Sequence, residues 1–315
     1  MDLSNETVLV IVGPTGIGKT DIAIEISKRI SSEIVSADSR QIYRFMDIGT
    51  SKPSKETLEK YPHHFINILN PDEDYSAGQF AKEARKVIER ISNRRNIPLI
   101  TGGSGLYIKA LLEGFFGADF RDDIIRKQLQ QKLKEKGYKN LYNELEKVDP
   151  HGATQIHPNN TKRVLRNLEV YYITGKPISE FQKSQNDPAN FKWIKFGLSI
   201  NREQLYKRIN QRVDKMLEEG LIDEVESILK KGYSPELNSL NSVGYKEAIH
   251  YLNGKISLED CIDLIKQNTR NYAKRQIIWY RREKDIQWIN MEIGNNSIVD
   301  RLLEHFDEIK KANKS

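Results

Sequence analysis

A single cysteine in 315 residues, Cys261, leaves no second thiol for an internal disulfide, so burial and hydrogen bonding must hold the fold. No apolar run approaches the ~18 residues of a membrane-spanning helix, and the longest are bounded by Gly, Asp or Asn. The first residues also lack a charged segment leading into the apolar core of an export signal. These absences predict a soluble protein in a reducing, cytosolic setting with no membrane partner. Neither sign of charge dominates: 50 Lys and Arg face 44 Asp and Glu, a net of +6 that permits a polyanionic partner without demanding one. Internal repeats and low-complexity linkers are missing as well. What is present is enough apolar content for one large or two modest domains.

TVLVIV (7–12) is apolar and β-branched, as a strand buried on both faces should be, and DIAIEISKRI after it has helical spacing. Further short apolar runs follow at EIVSA (33–37), HFINIL (64–69), IPLIT (97–101) and WIKFGLSI (193–200), with helical stretches between several of them. This alternation predicts an α/β fold built on a doubly wound parallel sheet. From about 116 to 190 the strand signals stop, and charged helical text is punctuated by DPHG, HPNN and TGKP. The expected organisation is an α/β core of 1–115 and 191–315 with a helical insertion at 116–190. The rest, including a long stretch from Ser257 to Lys284 and a polar tail ending in KKANKS, reads as helical.

Between the first strand and helix lies GPTGIGKT, which fits G-x-x-x-x-G-K-[ST] without gaps at Gly13, Gly18, Lys19 and Thr20. Glycines let the loop wrap so that backbone N–H groups meet phosphate oxygens, the following helix adds its positive end, Lys19 adds a full charge, and Thr20 can ligate Mg²⁺. A P-loop kinase or ATPase usually adds an Asp at the end of a later strand to help hold the metal. Here IPLIT runs instead into GGSGLY, with no carboxylate. Asp38 stands at the end of EIVSA, beside Ser39, Arg40 and Gln41. A lone Asp there can be a turn residue, but strand carboxyl ends share one crevice, which puts Asp38 across from the phosphate loop. Ser104, among Gly102, Gly103 and Gly105, either caps the next helix or places a hydroxyl in that crevice.

Several helices carry cations. In NTKRVLRNLEVYY, Val164, Leu165, Leu168, Tyr171 and Tyr172 share one face, leaving Lys162, Arg163 and Arg166 on another that is either solvated or suited to a phosphate backbone. In LYKRINQRVDKML, Leu205, Ile209, Val213 and Leu217 point inward, and Arg208 and Arg212 lie one turn apart on a different face. Between Lys266 and Lys284, basic residues interleave with Tyr272, Trp279 and Tyr280, a pattern that suits RNA, but aromatics on a long helix more often fill a core, and these three are left out of the candidate site.

GPTGIGKT, DSRQIYRFMDIGTSKP, GGSGLYIKALLEG, KRVLRNLEVYYITGKPIS, GLIDEVESIL, SVGYKEAIHYLNG and TRNYAKRQIIWYRR follow one another from Val8 to about Arg282. In that order they resemble the bacterial tRNA dimethylallyltransferase family. The resemblance implies transfer of a dimethylallyl group from its diphosphate to N6 of the adenosine at tRNA position 37, 3′ of the anticodon. The loop Gly13, Pro14, Thr15, Gly16, Ile17, Gly18, Lys19 and Thr20 would then hold a leaving diphosphate, with Mg²⁺ at Thr20. Asp38 is the expected base, with Lys19, Ser104 and Arg212 also catalytic; the match favours Arg212 over Arg208. The resemblance places Asp38, Ser39, Arg40, Gln41 and Ser104 against the extruded adenosine. It places Arg126, Lys162, Arg163, Val164, Leu165 and Arg166 in the tRNA-binding set, with the anticodon stem-loop as partner and a monomer as the expected state. This sequence departs from the usual pattern at Gly16 and Ile17, where Ala and Ser are common, and at Lys162 and Asn167, where Gln and Ala are frequent. Rival readings are an adenylate dimethylallyltransferase, a small-molecule P-loop kinase and an RNA-binding module without activity.

Overall fold

In a computed structural model, residues 7–114, 120–184 and 187–312 are described. The last three residues of the polar tail and part of the expected insertion therefore lie outside the described residues. The chain forms two compact units, one of Met1–Tyr75, Glu83–Ile108 and Asn190–Ser315, the other of Ser76–Lys82 and Lys109–Ala189.

The first unit is built on six parallel strands: β1 (Thr7–Val12), β2 (Ser32–Ser36), β3 (His63–His64), β4 (Ile97–Gly102), β5 (Lys192–Ser199) and β6 (Ile286–Asn290), ordered β3-β2-β4-β1-β5-β6. All six residues of β1 are buried, and Leu9 pairs with Leu99 on one side and Ile194 on the other. A strand with neighbours on both edges and helices over both faces has no wet side, which is why TVLVIV shows no alternation. Ile22 and Ile26 of the Lys19–Arg29 helix share one core with Val299, Leu302 and Phe306 of the Asn295–Ala312 helix and with Leu9 and Ile11 of β1. Each such side chain contributes roughly 1.5–3 kcal/mol on burial.

HFINIL is shorter as a strand than its apolar text predicts. Phe65 and Asn67 adopt left-handed backbone conformations (φ 65° and 56°), which cannot continue a pleat, so pairing stops at His64 and resumes only as a Tyr43–Leu69 bridge. The C-terminal region, expected to be wholly helical, contains β6. Only Ile286 and Ile289 of that edge strand are buried, which breaks the period-2 signal. Buried Lys195 on β5 pairs with Glu283 and Asp285 and pins the entry to β6. The long helix runs Leu258–Tyr280, with the Ser257 hydroxyl accepting from the Asp260 N–H at its start.

The second unit is helical, and the punctuation read in the sequence marks its helix ends. Asp149 of DPHG caps Pro150–Thr154, Asn160 of HPNN caps Thr161–Thr174, and Gly175 of TGKP (φ 71°) ends that helix. Leu129, Leu141 and Leu145 of Asp123–Val148 form its core with Ile156, Val164 and Leu168. Tyr172 does not join the apolar face assigned to it: it is 42% exposed, with Lys132 over its ring. Among the described residues, no helix is long and apolar enough to cross a membrane.

Candidate active site

The carboxyl ends of β1, β2 and β4 place the phosphate loop, Asp38 and the GGSG turn on one edge of the sheet. Gly16 shows why a glycine is needed in the loop: its φ is 78°, and a Cβ there would stand 2.9 Å from Ile209 Cγ1. At the neighbouring turn, a Cβ on Gly102 would lie 2.2 Å from the Ala37 carbonyl oxygen, so strands β2 and β4 can emerge in close contact only without a side chain.

Thr15, Lys19, Thr20, Asp38, Gln41 and Arg212 line a single cavity of about 70 Å³. Lys19 Nζ donates to the Pro14 carbonyl at 2.9 Å. Burial pushes its pKa down to about 8, opposed by the Asp38 charge and reinforced by Arg212. Burial also lowers Arg212, again against the pull of Asp38. The Arg212 guanidinium donates to Thr15 Oγ1 at 3.3 Å, while its buried Nε–H has no acceptor among the described residues. Two desolvated cations with spare donors gain most from an anion that enters and accepts from both. Arg208 differs: it is exposed and donates to the Ile17 carbonyl at 3.2 Å.

Asp38 Oδ1 accepts from the backbone N–H of Arg40 (2.8 Å) and Gln41 (3.4 Å), which fixes the carboxylate; Oδ2 accepts no hydrogen bond among the described residues. Ser104 Oγ accepts from the Ser39 N–H at 3.0 Å and donates to Ser39 Oγ at 3.2 Å, tying the β2 and β4 turns together. These bonds make Ser104 a joint between turns. Gln41 is equally committed: its Oε1 accepts from Ser36 Oγ and its Nε2 donates to the Thr50 and Ser51 carbonyls. Arg40 donates to the Asn238 carbonyl at 2.9 Å and, with Asp38 and Ser39, lines a larger cavity of about 330 Å³ that also reaches Tyr272 and Arg275.

Two residues on the long helix complete the site and were not among the candidates read from the sequence. Gln276 accepts from the Thr15 N–H through Oε1 and donates to the Gly103 carbonyl through Nε2, both at 2.8 Å, joining the phosphate loop to the GGSG turn. One turn earlier, Tyr272 lies beside Ser104 and lines both cavities; burial, with Asp38 adding to it, pushes its phenol up to about 12. Their i, i+4 spacing was visible, but an aromatic and an amide on one helical face read equally well as core.

No group of three or more His, Cys, Asp or Glu suited to a metal occurs among the described residues. Thr20, in the first turn of the Lys19–Arg29 helix, lines the cavity together with Lys19 and the other loop hydroxyl, Thr15.

In the helical unit, Lys162 and Arg163 are exposed. Arg126 and Arg166 both donate to the buried Glu169 carboxylate, at 2.6 and 2.7 Å, and keep part of each guanidinium at the surface. Leu165 is half-buried against the core, and Val164 is 2% exposed within it. The Val164 side chain is thus unavailable to RNA; it belongs to the packing that orients its charged neighbours.

The IPP transferase family model matches residues 41–283. A tRNA dimethylallyltransferase of Pelotomaculum thermopropionicum is 47% identical over 288 residues, 91% of each chain. Among solved structures, the tRNA isopentenylpyrophosphate transferase of Bacillus halodurans superposes with a TM-score of 0.73 at 37% identity, covering 98% of both chains. A eukaryotic dimethylallyltransferase described as acting on tRNA gives 0.77 at 33% identity, covering 90% of this chain and 74% of that one. The chain belongs to the IPP transferase family.

Proposed function

We propose that this transferase moves a dimethylallyl group from dimethylallyl diphosphate to N6 of the adenosine 3′ of the anticodon in tRNA, releasing diphosphate. The observation that carries the reading is the single cavity in which Asp38 shares walls with the half-buried cations Lys19 and Arg212. An adenine amino group is a poor nucleophile because its lone pair is delocalised into the ring. A base that takes its proton as the N–C bond forms removes that handicap. Asp38 is that base, with Oδ1 anchored and Oδ2 left to accept. The C–O bond to diphosphate breaks, and its electron pair leaves on the oxygen. The loop N–H groups, Lys19 and Arg212 stabilise that charge. Gln276 and Ser104 keep the two sides of the site at a fixed spacing.

Mg²⁺, when bound, would supply further charge neutralisation on the diphosphate, and Thr20 is the residue that would hold it. The target base enters extruded from its loop, because N6 cannot otherwise reach a carboxylate recessed at a strand end. Lys162, Arg163, Arg126 and Arg166 supply phosphate contacts. The same reading has the enzyme act in the cytosol as a monomer. Labelled dimethylallyl diphosphate offered separately to unmodified tRNA and to AMP tests it: label in tRNA alone supports the proposal. Label in AMP alone makes the protein an adenylate prenyltransferase, and label in neither overturns prenyl transfer.

A further inference from the structure

We propose that Glu224 is a positioning residue for the acceptor side of the site, holding segment 47–49 so that the cavity wall and Gln41 stay in register with Asp38. The proposal rests on the prenyl-transfer reading above and deepens it. Glu224 lies on the Leu221–Lys230 helix. Its Oε2 accepts from the N–H groups of Asp47 (2.8 Å) and Ile48 (2.7 Å), and its Oε1 from the Gly49 N–H (3.2 Å) and the Tyr245 hydroxyl (2.6 Å). Three consecutive backbone donors converging on one carboxylate define the path of that segment, and hydrogen bonds to a charged acceptor are the strong kind.

Shape confirms the docking. A Cβ on Gly49 would stand 2.4 Å from Tyr245 Cε2 and 2.9 Å from Leu221 Cδ1, so the backbone presses directly on the Tyr245 ring. Tyr245 is fully buried, and burial beside Glu224 holds its phenol protonated. It therefore stays a donor to the carboxylate throughout the working pH range.

The clamped segment leads straight into the site. The Thr50 and Ser51 carbonyls accept from Gln41 Nε2 at 3.2 Å each, and the Gln41 N–H donates to Asp38 Oδ1. Thr50 lines both the 70 Å³ and the 330 Å³ cavities. A continuous path of hydrogen bonds and covalent backbone thus runs from Glu224, which lines neither cavity, to the carboxylate that takes the proton. Removing the charge at 224 frees segment 47–49, and the misplacement reaches the reacting group through Gln41.

The test compares the parent, Glu224→Gln and Tyr245→Phe by amide hydrogen exchange and by single-turnover prenyl transfer to unmodified tRNA with active-site titration. For Glu224→Gln, exchange at Asp47, Ile48 and Gly49 should rise about tenfold or more while the amides of Gly13 and of residues 15–18 hold steady. The transfer rate constant should fall about tenfold at full active fraction, with the donor KM within about twofold of the parent. Tyr245→Phe removes one of the donors and should slow transfer by about threefold, which keeps the test decisive if Glu224→Gln does not fold. Unchanged exchange at 47–49 overturns the clamp. A normal rate constant with a reduced active fraction makes Glu224 a stability residue only and overturns positioning. If the parent itself puts no prenyl group on tRNA, the functional reading fails, and exchange still decides the clamp.

Discussion

The phosphate loop and the segment from Asp38 to Ser54 face the same cavity, yet they keep their shapes in opposite ways. The phosphate loop is short and largely self-made: Gly13, Gly16 and Gly18 at positive φ turn the chain, and Lys19 folds back onto the Pro14 carbonyl. Its outside support is the Gln276 amide and the Arg212 and Arg208 guanidinium groups. The acceptor segment is longer, and its shape comes from elsewhere in the chain. Glu224 holds residues 47–49, and Lys52 Nζ bridges the Tyr43 carbonyl, Asp47 and Asn67. A leaving group of constant chemistry is served by a local motif. A large acceptor needs a wall set by tertiary contacts.

The largest effect should come from the self-made loop. Lys19→Ala removes a half-buried cation facing the leaving oxygens and should lower kcat by about 10³-fold or more, measured by label transfer to tRNA. A loss below about tenfold would mean that Arg212 and the backbone suffice. The acceptor segment should be nearly as brittle at one point. Gly49→Ala forces a methyl into the Tyr245 ring and should cut transfer by about 10²-fold, with donor affinity nearly intact in a diphosphate-binding assay. Equal damage to donor binding would show that the two regions are not separately supported.

A smaller effect follows from charge. The Lys19 pKa is lowered to about 8 in the free protein. Bound diphosphate favours the charged form and raises it, so binding takes up a proton once pH exceeds about 8. Diphosphate affinity should be flat below about pH 8 and then fall by up to about tenfold per pH unit, read by calorimetry in buffers of different ionisation enthalpy. The smallest change belongs to side chains outside both regions. Lys162→Ala with Arg163→Ala should raise the tRNA KM about three- to tenfold and flatten its salt dependence, leaving donor kinetics alone.

The contrast between the two regions is also the contrast between what could and could not be read from the sequence. GPTGIGKT announces its fold because a contiguous run contains nearly everything that shapes it. The breaks at DPHG and HPNN were legible for the same reason, since Asp149 and Asn160 each cap their own next turn. Glu224 was not, because it binds a segment 177 residues away and looks like any surface carboxylate on an amphipathic helix. Gln276 and Tyr272 were hidden by the ambiguity of a helical face, and β6 by an edge strand in which Gln287 and Trp288 are both exposed. Val164 shows the converse: it adjoins charged, exposed residues in sequence, and the helical period turns it into the core.

The central claim is that Asp38 accepts the N6 proton across a cavity it shares with the diphosphate pocket, and the direct measurement is nucleoside analysis of tRNA after a single turnover with parent and Asp38→Asn. The amide keeps the size of the side chain and can still accept on one oxygen, but it cannot take the proton. The account predicts N6-dimethylallyladenosine from the parent and a rate about 10²- to 10⁴-fold lower from the variant, with donor and tRNA still bound. Transfer by Asp38→Asn at the parental rate would contradict it.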